Sequence, residues 1–180
     1  MKRFLSISII LMSLAFSSYN VGDQISISDQ QLTKEVCYAA PGSDLSIGDD
    51  FNLYNLNGEY NGGNYHVFFL AMHASWWNPC YQMQTGSVGA IHTYWEGSEA
   101  EDVVILGELL SDINQPYSCQ QWSNLAPGEG GDIIHDTGYG FFNLYNSQNG
   151  FPSTVWIDHT MKVHYKANTS GYYLVNMKME

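Results

Sequence analysis

Three cysteines are the strongest candidates for chemistry in this chain: Cys37, Cys80 and Cys119. Cys80 stands out by its surroundings. The apolar run Val67 to Ala71 leads into the corner Trp76-Trp77-Asn78-Pro79-Cys80. Proline suits the first turn of a helix, and asparagine the cap before it. The pattern therefore predicts a strand that delivers Cys80 to a helix start. There the backbone N–H groups and helix dipole lower a thiol pKa and favour the nucleophilic thiolate. Cys119 opens a second short helix after the next strand, with Ser118 near its cap. Cys37 lies in a polar stretch and has no assigned role at this level. Three cysteines allow three single-bridge pairings, and arithmetic does not choose among them.

The N-terminus bounds where such chemistry would run. Lys2 and Arg3 precede an apolar stretch from Phe4 to Leu14, followed by Ala15-Phe16-Ser17. This reads as a signal peptide over residues 1–17, cut near Ser17. Export to the periplasm or the extracellular space follows, with no stable membrane insertion after cleavage. Oxidising surroundings then make a disulfide plausible. The remaining chain has four lysines, no arginine and 18 acidic residues, a balance of −14. Such a surface argues against nucleic acid and against anionic lipid as partners.

Elements follow from local pattern. Residues 18–44 read as an extended N-terminal segment and residues 45–180 as the folded domain. Phe51 to Leu56 alternates and turns at Asn57-Gly58, which predicts a strand and hairpin turn. The near-continuous apolar run at residues 65–72 predicts a strand buried on both faces. A helix is expected from Asn78 to about Trp95, weakened by Gly86 and Gly89. Val103 to Leu110 is the next strand. Short helices follow at Ser118 to Trp122 and Gly140 to Tyr145, with an extended piece at Asp132 to Asp136 between them. Two strands flank a turn from Gly150 to Lys166, and Thr169 to Glu180 closes as a helix. Helices alternating with strands indicate an α/β domain with a central mixed sheet flanked by helices.

Three segments in this order carry a resemblance. Ser46-Ile47-Gly48-Asp49 with Phe51 and Leu53 resembles an entry strand. Trp76-Trp77-Asn78-Pro79-Cys80-Tyr81-Gln82-Met83 resembles Trp-Cys-Gly-Pro-Cys-x-x-Met. Phe151-Pro152-Ser153-Thr154 resembles a loop carrying a cis-proline beside an active site. Together they resemble the thioredoxin superfamily, and most of all its exported redoxins of the alkyl hydroperoxide reductase-like and thiol-disulfide oxidoreductase type.

The resemblance implies a thioredoxin-like fold over residues 45–178. It also implies a thiol oxidoreductase acting on a protein or small-molecule disulfide or thiol. In that mechanism Cys80 exchanges and Cys119 resolves, while Trp76, Trp77, Pro79, Phe151 and Pro152 frame the substrate. One departure limits it. The family's attacking cysteine is replaced by Trp77, so the Cys-x-x-Cys pair is incomplete. Two other readings stay open. One is a non-enzymatic binding module with a structural disulfide. The other is a thiol peroxidase using peroxide, although Trp77 stands where peroxiredoxins carry threonine three residues before the cysteine, and their arginine is missing. The six histidines show no metal-site spacing, and there is no phosphate-binding glycine loop, so neither metal nor cofactor is expected.

Overall fold

The computed structural model describes residues 18–95, 98–99, 102–112, 115–128 and 130–168. The signal peptide expected at 1–17 and the closing helix expected at 169–180 lie outside the described residues. A seven-stranded mixed sheet forms the centre, in the order β2-β1-β5-β4-β3-β6-β7. Its strands are β1 (Lys34–Tyr38), β2 (Asp50–Phe51), β3 (Val67–His73), β4 (Val104–Leu110), β5 (Asp132–His135), β6 (Ser153–Ile157) and β7 (Val163–Ala167). The helices are α1 (Ile27–Gln30), α2 (Asn78–Met83), α3 (Gly89–Trp95), α4 (Cys119–Ser123) and α5 (Gly140–Tyr145).

β3 is the middle of the fold because both its faces are apolar. Phe68, Leu70 and Met72 point into a core shared with Phe141, Phe142 and Tyr145 of α5. Phe69 and Ala71 point the other way, onto Met83 of α2 and Ile91 of α3. Each fully buried side chain of this size contributes about 1.5–3 kcal/mol relative to exposure. β3 runs parallel to β4 and antiparallel to β6, in register Ala71 with Glu108 and with Thr154. The C-terminal end of β3 therefore meets the end of β4 and the start of β6 at one sheet edge.

The helix after the corner runs from Asn78 to Trp95 but not as one regular piece. α2 passes through a π-helical turn at Gln84–Val88 into α3. Gly86 sits in that turn. Gly89 has a packing reason, since a Cβ there would lie 1.9 Å from the Pro127 carbonyl oxygen. Only glycine lets this helix approach the loop so closely. The cap is also one residue earlier than expected: Trp77 is the N-cap and Asn78 begins the helix. Asn78 makes no side-chain cap.

Two further expectations are corrected. The stretch Phe51 to Leu56 is not a hairpin strand. β2 ends at Phe51, and Tyr54–Leu56 forms a 3-10 turn. The Asn52 side chain accepts from the Asn55 N–H at 2.9 Å and so favours a turn over an extended strand. The boundary at residues 44/45 also does not hold in the fold. β1, drawn from the N-terminal segment, pairs antiparallel with β5 and carries β2 on its other side. Its Val36 is fully buried in the core. Short, low-contrast strands of this kind gain their stability from partners distant in sequence.

Candidate functional site

The site is the corner after β3. Trp77 N–H donates to the Ala74 carbonyl at 3.0 Å, and Cys80 N–H donates to the Trp77 carbonyl at 2.9 Å. The corner is pinned to the end of β4 through Asp112. Its carboxylate accepts from Ser75 N–H at 2.7 Å and from the Ser75 hydroxyl at 3.1 Å. Opposite stands the loop before β6. The Phe151–Pro152 bond is cis, as the resemblance implied, and Gln115–Pro116 is cis as well. Trp77 reaches across to this loop, and its indole N–H donates to the Phe151 carbonyl at 2.9 Å. The resemblance places an attacking thiol at this position. The structure has a bulky indole there, tied to the backbone just before the cis-proline.

Cys80 is fully buried, and its sulfur accepts from the Ala74 N–H at 3.5 Å. Burial pushes its thiol up to about 12, and the nearby Asp112 charge pushes the same way. The Ala74 N–H works against both and loses. The expectation of a helix-lowered thiol is therefore overturned. A helix start lowers a thiol pKa only where the thiolate keeps contact with solvent or countercharge, and this sulfur has neither. At neutral pH Cys80 is an un-ionised thiol.

The expected pairing of Cys80 with Cys119 is also overturned. Cys119 is bonded to Cys37, with the two Cα atoms 5.9 Å apart. Cys37 lies at a register shift in β1, between Val36 and Tyr38. Cys119 is the first residue of α4, whose start is fixed by a capping box between Ser118 and Gln121. The pairing follows from β1 entering the sheet beside β5, which brings it against α4. Cys80 stays in the same apolar cluster as this disulfide, with Leu110, Trp122 and Ile133. Of the named frame residues, Trp76 and Trp77 are exposed, Pro79 and Phe151 half-buried, and Pro152 buried.

A second feature lies under the corner. His73, the last residue of β3, and Glu108 of β4 are both sealed from solvent, 3.9 Å apart. Burial drives Glu108 up to about 8 and His73 down to about 3. The Gln84, Trp122 and Gly131 donors oppose the Glu108 shift but do not cancel it. Neither side chain has a well-formed hydrogen bond among the described residues. Both are therefore neutral at pH 7, and the contact is not an ion pair. In the sequence Glu108 reads as one polar residue in an apolar strand, and no spacing pairs it with His73.

The pair gives the fold a two-sided pH dependence. The unfolded chain releases the Glu108 proton near 4.5, while the folded chain keeps it to about 8. Stability is thus full below 4.5 and falls as pH rises toward 8. His73 acts oppositely: the unfolded chain takes a proton near 6.5, the folded chain only near 3, so stability falls as pH drops through that range. Glu108→Gln removes the first dependence. Its stability relative to wild type should rise between pH 5 and pH 8.5 by on the order of a few kcal/mol, read from urea midpoints. Parallel pH profiles for the two proteins would contradict the buried, protonated carboxyl.

Among the described residues no three His, Cys, Asp or Glu side chains gather as metal ligands. No helix of the described residues is long and apolar enough to cross a membrane.

These elements, order and corner define a thioredoxin-like fold, and comparison with solved structures agrees. A putative protein disulfide isomerase from Bacteroides thetaiotaomicron matches with a TM-score of 0.58 at 15% identity, covering 87% of this chain and 83% of its own. A secreted Mycobacterium tuberculosis disulfide oxidoreductase, homologous to E. coli DsbE, matches with a TM-score of 0.53 at 14% identity, covering 80% and 87%. A peroxiredoxin Q from Xylella fastidiosa matches with a TM-score of 0.56 at 11% identity, covering 83% and 86%. No protein-family model matches the chain, and no curated protein matches it. The thioredoxin-like fold implied by the three sequence segments is thus the fold of the chain. At these identities the likeness speaks for fold alone.

Proposed function

We propose that the protein is an exported thioredoxin-fold binding module in which the exchange site of the fold is closed. The observation that carries this reading is the Trp77 indole bonded to the Phe151 carbonyl. It occupies the place of an attacking thiol and uses a backbone acceptor that an incoming peptide would need. The burial of Cys80 supports the same reading, because a neutral sulfur without solvent contact is a poor nucleophile. The Cys37–Cys119 bridge then acts as a staple between β1 and α4.

A second reading is favoured by one observation: Cys37 is only half-buried, and the free thiol shares its cluster. In that reading an external thiolate attacks the Cys37 sulfur. The Cys37–Cys119 bond breaks, a mixed disulfide forms on Cys37, and Cys119 leaves as thiolate. The substrate would be a thiol or disulfide of a protein or small molecule. A peroxide substrate would instead have to reach the buried Cys80 sulfur.

The two readings separate by alkylation and turnover of the native, oxidised protein. The binding reading expects Cys80 to resist iodoacetamide at pH 8 unless denaturant is added, and expects no insulin-disulfide reduction with dithiothreitol as donor. Rapid native labelling of Cys80, or turnover abolished by Cys80→Ser or Cys119→Ser, would reject it.

A further inference from the structure

The corner also indicates what it binds, an inference that rests on the binding reading above. We propose that this face docks a basic segment of a partner polypeptide. A lysine or arginine side chain of that segment seats against Trp76 and Trp77 beside the Asp112 carboxylate.

The two indoles are large apolar groups left in water. Trp76 is 65% exposed and Trp77 is 43% exposed. Their ring centroids are 5.8 Å apart and the planes stand at 62°. The two rings pack edge to face, and the area they leave open gives a cation an aromatic surface to lie on. Trp77 cannot swing freely, because its N–H is held by the Phe151 carbonyl. The ring faces are therefore set before a ligand arrives, which lowers the ordering cost of binding.

Charge selects the ligand. Asp112 is half-buried and fixed by Ser75, the residue just before Trp76. Its charge is felt at Cys80, which places it at this corner. Three lysines and no arginine occur among the described residues, and each lysine is engaged or remote. Lys34 donates to the Thr137 carbonyl. Lys166 donates to the Ser18 hydroxyl at 2.6 Å and the Tyr19 carbonyl at 2.7 Å. Lys162 lies at the β6–β7 turn, at the opposite end of β3. Among the described residues no lysine thus lies against this carboxylate, which is held by the residue next to Trp76. A cation on a tryptophan face with a carboxylate at its side gains from both interactions.

A further exposed ring lies near the same loop. The Phe151 carbonyl holds Trp77, and the Tyr139 ring lies 6.3 Å from the Phe151 ring between centroids. Tyr139 is 47% exposed and sits in the left-handed region at φ 60°. This set of exposed rings, Trp76, Trp77 and Tyr139, is more than a single ammonium group covers. It suits an extended segment that presents successive side chains, its basic residue at the tryptophans and an apolar residue toward Tyr139.

The test titrates the full-length oxidised protein with a decapeptide of alternating lysine and serine, following tryptophan fluorescence at 50 mM and 500 mM salt. Saturable binding is expected, weakened about tenfold by Asp112→Asn and by Trp76→Ala. Glu59→Gln, which removes one negative charge from an exposed position away from the corner, should bind as wild type. Circular dichroism confirms that each variant folds, and Trp76→Phe, which keeps an aromatic face, should retain most of the affinity. Equal weakening by Asp112→Asn and Glu59→Gln would reduce the effect to overall acidity and overturn the proposal. Binding of a proline- and tyrosine-rich neutral peptide at Trp76, with none of the lysine peptide, would overturn the basic specificity and leave the binding reading intact. Failure of both peptides to perturb the tryptophans would overturn both.

Discussion

Trp77→Cys should give a corner that reduces insulin disulfides at least about tenfold faster than wild type, with dithiothreitol as donor. The substitution restores a thiol at the helix start, where the wild-type side chain is 43% exposed. Little core packing is lost, so the fold should survive. The change also removes the indole from the Phe151 carbonyl and frees that edge of the loop. The introduced thiol would attack a substrate sulfur and form a mixed disulfide. Cys80 then attacks the introduced sulfur, closing an intramolecular disulfide and releasing the substrate thiol. The high pKa of Cys80 slows this second step but does not forbid it, because the two sulfurs would be held together rather than meeting by diffusion. Two controls define the claim. Trp77→Ala opens the edge without adding a nucleophile and should stay inactive. Trp77→Cys with Cys80→Ser should trap the mixed disulfide and not turn over. Equal activity in wild type and Trp77→Cys would mean that the corner was never closed.

Loss of the bridge should cost about 4.5 kcal/mol of stability, the second large effect. Cys37 and Cys119 are 82 residues apart in sequence. The chain-entropy account assigns about 4.5 kcal/mol to closing a loop of this size in the unfolded state. For a chain of this length that is roughly 10 °C in Tm. Cys37→Ser, compared with wild type in urea without reductant, measures it. β1 is the element most exposed to the loss. It is a five-residue strand that joins β2 to β5, and the bridge ties it to α4. The same bridge separates the two functional readings. A staple should have a reduction potential below about −300 mV, and an exchanging bridge a higher one. A stability loss under 1 kcal/mol together with a potential near −200 mV would move the assignment to the exchange reading.

The local grammar of the chain carried the fold. Val67 to Ala71 is apolar without interruption because β3 is covered on both sides, and an uninterrupted run is visible in sequence. Pro79 marked a helix start to within one residue, and Ser118 with Gln121 forms the cap and box of α4. Phe151-Pro152 pointed to the loop beside the corner. These features depend on residues a few positions apart, so they are written in order along the chain. Trp77 in place of the attacking cysteine was legible for the same reason, and it already left the dithiol pair incomplete.

Tertiary structure decided the rest. Which sulfur Cys119 meets depends on β1 joining the sheet next to β5, and β1 alone has no periodicity strong enough to announce it. Whether Cys80 is a thiolate depends on how completely α2, β4 and α4 exclude water, a balance of desolvation against one N–H donor that spacing does not encode. Glu108 became a neutral acid beside His73 because two parallel strands place both side chains on one covered face. Asp112 reached Ser75 because β3 and β4 end together. By itself the sequence determined a thioredoxin-like frame with one cysteine at its corner and a tryptophan where the other would stand. The packing around that corner decided that the cysteine is buried and un-ionised and that the tryptophans face the solvent.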